Sequence, residues 1–156
     1  MTEEKGTSVR REVTVRCSAE HAFAVFATRI ELWWPRGHRP LGQTAQMVAE
    51  THVGGRVFAR NEAGQEHDIG TVLAWDPPHG LRWAWYLGTS SQEPTEVEVR
   101  FVALSPKLTR VEVVHRPGSA PSWDDTVVRF RQGWTRVMEA FAGHMETHNT
   151  SEEAST

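Results

Sequence analysis

The last third of the chain places the strongest constraint on its fold. Trp123, Val127, Phe130, Trp134, Val137, Met138, Phe141 and Met145 recur at steps of three and four. That spacing puts apolar side chains on one face of a single long helix, and such a face needs an apolar surface to lie on. From Ala45 to Arg116 the periodicity is two, which is the signature of half-buried strands. Candidate strands are Ala45 to His52, Arg56 to Arg60, His67 to Trp75, Leu81 to Leu87, Thr95 to Ala103 and Thr109 to Arg116. Gly54-Gly55, Asn61 to Gly64 and Asp76 to Gly80 supply turns between them.

The opening of the chain adds one more strand and a short helix. Val13 and Val15 alternate with polar residues in Val9 to Arg16. Ser18 reads as an N-cap with Glu20 in the first turn, where the helix dipole favours an anion. Phe23, Phe26, Ala27 and Ile30 then follow helical spacing. Trp34 precedes Pro35 and is biased away from helix, and Arg36 to Thr44 reads as loop. The order is strand, helix, loop, six strands, long helix. Consecutive strands with short turns imply an α+β fold with an antiparallel sheet. Leu81, Trp83, Trp85, Val97, Val99, Phe101, Val111 and Val113 share one face of it, and the long helix must cover that face.

The last two strands can be registered from charge. Pairing Phe101 with Val111 sets Arg100 opposite Glu112 and Glu96 opposite Arg116. Slipping by two residues sets Arg100 opposite Arg110 and Glu98 opposite Glu112. Each such pair is worth about 0.2–1 kcal/mol, so the first register is expected, with a loop from Leu104 to Leu108.

Composition narrows the function classes. The chain has 156 residues, one domain's worth, and a formal charge of -3 from 17 basic and 20 acidic side chains. That balance argues against nucleic-acid binding. A single cysteine, Cys17, excludes an internal disulfide. No signal peptide or membrane-spanning run is visible, so a cytoplasmic location is expected. Residues 1–8 and 149–156 are expected to be disordered, flanking one domain at 9–148. The chain carries 7 Trp against 1 Tyr, concentrated in Trp33-Trp34-Pro35 and around Trp75, Trp83 and Trp85. Tryptophan is large and rarely fully buried, so this clustering points to a pocket wall.

Several local runs together resemble a known family. They are Ala19-Glu20-His21-Ala22-Phe23, Trp33-Trp34-Pro35, Gly54-Gly55, the run from Gly70 to Pro78, Leu81-Arg82-Trp83, Thr95 to Val99, Thr109 to His115, and Gly133-Trp134. Over about Val9 to His144 the chain is similar to the START-like (SRPBCC, birch-pollen-allergen-like) superfamily. Within it, the resemblance is to the branch named after the activator homologue of the ninety-kilodalton heat-shock protein ATPase. The resemblance implies a helix-grip fold: a curved seven-stranded antiparallel sheet wrapped around the C-terminal helix, with a deep apolar cavity between them. Members bind lipids, hormones, polyketides or other hydrophobic molecules, and some are cyclases or dehydratases. The chaperone role does not transfer with the name, because the eukaryotic co-chaperone uses a separate preceding domain for much of its contact.

Strand parity and this resemblance together select the expected lining of the cavity: Trp83, Trp85, Val97, Val99, Phe101 and Val113 from the sheet, His115 at the end of an inward row, and Trp134 and Met138 from the helix. The tryptophans could equally be ordinary core, and one of Trp33 and Trp34 could plug the barrel end. His115 in a cavity would orient a ligand or exchange a proton; alternatively it is hydrogen-bonded at a strand end. His67 and Glu50 are weaker candidates. Glu112 and Arg82 point outward by parity, Glu112 towards Arg100. His144 and His148 are spaced to chelate, but two ligands at a helix end make a weak site, and no metal is expected. Cys17 reads as structural. No catalytic triad, phosphate loop or nucleotide fingerprint is present, and no cofactor is expected.

Three functional readings follow. The first is binding of a small hydrophobic or aromatic molecule inside the cavity. The second is a cyclase or hydrolase using the same cavity with His115 as acid–base, which a polar partner beside His115 would favour. The third is an interaction module, which requires a filled core and an exposed apolar patch at Trp33-Trp34. An edge strand or the Trp33 region would offer a homodimer surface.

Overall fold

A computed structural model describes the backbone from residue 8 to 155, except residues 88, 91, 119, 121 and 122, and side chains through residue 147. The expected disordered N-terminus falls, but for Ser8, outside the described residues. Of the expected tail only the backbone to Ser155 is described, as a continuation of the last helix.

Strand β1 (Val9–Val15) leads into helix α1 (Ala19–Phe23). Ser18 caps α1, its Oγ accepting from the His21 amide at 3.1 Å. A wider π-type turn, Ala24–Thr28, and a second short helix, α2 (Ile30–Trp33), continue the segment. Trp34 is extended, as its position before Pro35 requires. Six strands follow: β2 (Gln46–Ala49), β3 (Arg56–Arg60), β4 (Glu66–Asp76), β5 (Gly80–Trp85), β6 (Thr95–Ser105) and β7 (Leu108–Arg116). They form one seven-stranded antiparallel sheet in the order β1-β7-β6-β5-β4-β3-β2. Helix α3 (Trp123–Ser155) closes the fold. Among the described residues no helix is long and apolar enough to cross a membrane.

The register of β6 and β7 is the one that charge pairing predicts, with Arg100 opposite Glu112 and Phe101 opposite Val111. One of the two facing pairs forms an ion pair: Arg116 lies 3.9 Å from Glu96, and it reaches diagonally to Glu98 at 3.0 Å as well. The other does not, since Arg100 binds Glu98 on its own strand at 2.9 Å and Glu112 binds Arg110 at 2.6 Å. An extended arginine suits a neighbour two residues along the strand, about 7 Å away, better than a residue directly opposite. The connection between these strands is also tighter than a five-residue loop. Ser105 pairs with Leu108 across Pro106-Lys107, and a register shift after Ala103 absorbs the extra residue.

Further register shifts lie between Val57 and Phe58 and between Val72 and Ala74, where an extra residue bends the strand and increases its twist. Gly70, opposite Val57 at the first shift, permits a close approach on its other side, since a Cβ there would fall 2.4 Å from the Ala84 carbonyl oxygen.

The α1–α2 segment decides how much space is left inside. Phe26 is fully buried and packs against Phe101, Phe141, Trp33 and Trp83, with ring centroids 4.8–6.2 Å apart. Phe23 adds edge contacts to Phe101 at 5.1 Å and Trp75 at 5.0 Å. These rings occupy the region between the middle of the sheet and the second half of α3.

Candidate functional site

An aromatic-walled opening lies instead towards the start of α3. There a pocket of about 150 Å³ is walled by Trp34, Trp85, Phe130 and Trp134, with Leu87 and Val137 completing its apolar surface. The centroids of the Trp34, Trp85 and Trp134 rings lie 5.8–6.0 Å from one another, forming an indole corner. Among the described residues the polar lining is His38, Thr126 and Arg129, with no carboxylate.

Each wall is held by its own local structure. Trp34 leaves α2 in extended conformation and donates its indole N–H to the His38 carbonyl at 3.3 Å. The Trp34 carbonyl is gripped from the other side by Arg39, whose Nη2 and Nε lie at 2.8 and 3.3 Å. The Arg39 side chain is 1% exposed and also binds Glu31 Oε1 at 2.7 Å and the Ala45 carbonyl at 2.8 Å. Glu31 Oε1 accepts in turn from the Met47 amide at 2.7 Å. A fully partnered buried cation therefore ties the Trp34 loop to β2. Of the polar lining, Thr126 donates to the Trp123 carbonyl at 3.3 Å.

Trp85 and Trp134 are joined through His115. Trp134 Nε1 donates to His115 Nδ1 at 2.9 Å. Nδ1 is thus the acceptor, so the ring proton sits on Nε2 and is donated to Thr95 Oγ1 at 2.7 Å. The Thr95 hydroxyl donates onward to the Trp85 carbonyl at 3.1 Å. Burial pushes the His115 pKa down to about 3, so the imidazole is neutral and this chain of hydrogen bonds has one direction. Trp123 and Phe130 close over the ring at 5.1 and 4.4 Å.

Of the expected lining residues, Trp85 and Trp134 face this pocket. Trp83, Val97, Val99, Phe101, Val113 and Met138 are at most 3% exposed and belong to the packed core. His115 is fully buried with both nitrogens engaged, so a proton transfer there would first have to break the wall it supports. Among the weaker candidates, His67 is exposed and Glu50 caps a turn, its Oε1 accepting from the Arg56 amide at 2.8 Å. Arg82 binds Glu96 at 3.0 Å. Cys17 is buried, and its carbonyl accepts from Thr109 Oγ1 at 2.8 Å. The His148 side chain lies outside the described residues, and no cluster of three metal-binding side chains occurs among the described ones. Trp33 and Trp34 are 4% and 3% exposed, so they form no surface patch.

Sequence reasoning missed His38, Arg39, Arg129 and Gly133. A signal for two of them was present. Thr126, Arg129, Phe130, Gly133 and Val137 make a second stripe at helical spacing, and a glycine inside a helix calls for a reason. A Cβ built on Gly133 meets nothing within 4 Å, so the glycine borders open space.

Comparison with known proteins agrees with this architecture. A family model described as Activator of Hsp90 ATPase homolog 1-like protein matches residues 16–146. The anthrahydroquino-gamma-pyrone synthase Txn09 is 33% identical, covering 75% of this chain and 82% of its own, at a TM-score of 0.51. CalC, a self-sacrificing resistance protein from Micromonospora echinospora, is 28% identical over 90% of this chain and 95% of its own, at 0.68. The Aha1 dimer from Colwellia psychrerythraea, 16% identical over 90% and 96% at 0.65, is similar in fold alone. Among curated proteins, none matches.

Proposed function

This chain belongs to the Activator of Hsp90 ATPase homolog 1-like protein family, and from that premise we propose that it binds a small aromatic molecule between Trp34, Trp85 and Trp134. The observation that carries the reading is the indole corner itself. Three large rings hold open about 150 Å³ beside the region that Phe23 and Phe26 fill. A cavity of about that volume, lined by apolar side chains, accepts a single benzene-sized ring, whereas drug-sized ligands occupy about 300–1,000 Å³. The pocket therefore takes one ring fully, and a larger ligand leaves the rest at the mouth. In this reading His115 is a positioning residue that sets the orientation of two walls.

An enzymatic reading gains support from the likeness to a named synthase at 33% identity. The titratable group available to it is His38. Burial, assisted by the charge of Arg136, holds the His38 imidazole below its ordinary value, so it is neutral and able to accept a proton near pH 7. The interaction-module reading loses its main requirement, because Trp33 and Trp34 are inside.

Binding is tested by native mass spectrometry of freshly purified protein, followed by titration with benzamide while the tryptophan indole N–H resonances are recorded. An excess mass lost on denaturation, or shifts in the Trp34, Trp85 and Trp134 signals, is the expected result. A clean apo mass together with unmoved indole signals would overturn the proposal.

A further inference from the structure

The charged side chain that lines this pocket is an arginine, Arg129, exposed and one helical turn before Gly133. Asp125 stands four residues earlier on α3, a spacing that commonly forms an ion pair, yet Arg129 has no ion pair or hydrogen bond among the described residues. Arg136 projects from the same helix close enough to His38 for its charge to be felt there. The nearby Glu31 carboxylate is already engaged by Arg39 and Arg36, at 2.7 and 3.5 Å. A protein of net charge -3 thus presents, at the rim of its aromatic pocket, a guanidinium unpaired among the described residues.

We infer that the pocket selects an aromatic anion, a ring bearing a carboxylate or ionised phenolic oxygen, with the ring against Trp34, Trp85 and Trp134 and the anionic oxygen paired with Arg129. This rests on the pocket being a binding site and adds the class of ligand. The geometry suits the two halves of such a molecule. The indole corner is apolar and holds the ring, while the charge stays at the mouth, where it keeps part of its hydration and meets a planar donor fork. A buried anion would instead pay the full cost of leaving water.

The test compares benzoate with benzamide, which are alike in shape and differ in charge. Titrations into wild type, Arg129→Gln and Gly133→Leu are followed by the indole N–H resonances and by calorimetry. In wild type the benzoate dissociation constant should be about tenfold below that of benzamide. The ratio should fall to about one in Arg129→Gln, and in wild type at 1 M NaCl. Gly133→Leu should abolish the response to both probes. Equal affinities in wild type would overturn the anion inference while leaving the pocket reading intact. A ratio that persists in Arg129→Gln would overturn the assignment to that arginine. No response to either probe would overturn the pocket reading and this inference with it.

Discussion

Trp134 on α3 donates its indole N–H to Nδ1 of His115 on β7 at 2.9 Å, across the interface between helix and sheet. This bond fixes the imidazole tautomer and, through Thr95, connects two walls of the pocket. His115→Ala strands the Trp134 N–H in the core and leaves a cavity beside Trp123 and Phe130. A buried donor without a partner costs about 1–3 kcal/mol, and the cavity adds to it, so a loss of about 3 kcal/mol is expected in urea unfolding. His115→Gln, which keeps a donor and an acceptor, should cost clearly less. Equal losses in the two variants would mean that shape, not hydrogen bonding, is the main contribution.

The same histidine makes stability depend on pH. Its folded pKa, about 3, lies below the ordinary value of 6.5, so between these values the unfolded chain binds the proton more readily. Stability is therefore complete above about pH 6.5 and is lost as pH falls towards 3, by up to about 1.4 kcal/mol per unit. His38, shifted in the same direction, adds to the trend. Urea midpoints of wild type and His115→Gln, compared between pH 7.5 and 4.5, should diverge, with the wild type falling faster. Parallel curves would show that His115 is not buried in its neutral form.

Gly133 separates pocket from fold. Its missing Cβ faces empty space, so Gly133→Ala should raise stability by about 0.5–1 kcal/mol through helix propensity alone. Gly133→Leu should fill the pocket, and its melting temperature should match or exceed that of wild type. A lowered melting temperature would show that no space adjoins this position.

Arg39 holds the Trp34 loop through five hydrogen bonds. Breaking a buried, hydrogen-bonded ion pair costs about 3–5 kcal/mol, which is the loss expected for Arg39→Met in urea unfolding. Arg39→Lys should recover less than half of it, because an ammonium cannot serve carbonyl and carboxylate partners in one plane. Full rescue by lysine would reduce the clamp to simple charge.

The fold was legible because its signals are local and periodic. Alternation from Ala45 to Arg116 and the stripe from Trp123 to Met145 specify which face of each element is apolar. The charges of Arg100, Glu112, Glu96 and Arg116 suffice to choose the register of β6 and β7, since a slip would oppose like charges. Ser18 and Pro35 mark the two ends of the α1–α2 segment for reasons confined to neighbouring residues. Strand parity also places Trp85 inside and helical spacing does the same for Trp134, which is why both could be named as pocket residues.

Where the open space lies could not be read that way. Parity states that Val97, Val99 and Phe101 point inward, but it is silent on what meets them. Phe23 and Phe26 arrive from a segment some seventy residues away in sequence and fill that region. The space moves to the beginning of α3, where Gly133 withholds a side chain. Arg39 looks like a loop residue until its guanidinium is seen among the carbonyls of Trp34 and Ala45, and Arg129 looks like a solvated helix charge until its neighbours prove aromatic. Sequence by itself determined which elements form, which faces they bury and how the strands align, because those follow from interactions between near neighbours. The tertiary structure alone decided the pocket and its charge, because empty volume is what remains after distant side chains have packed.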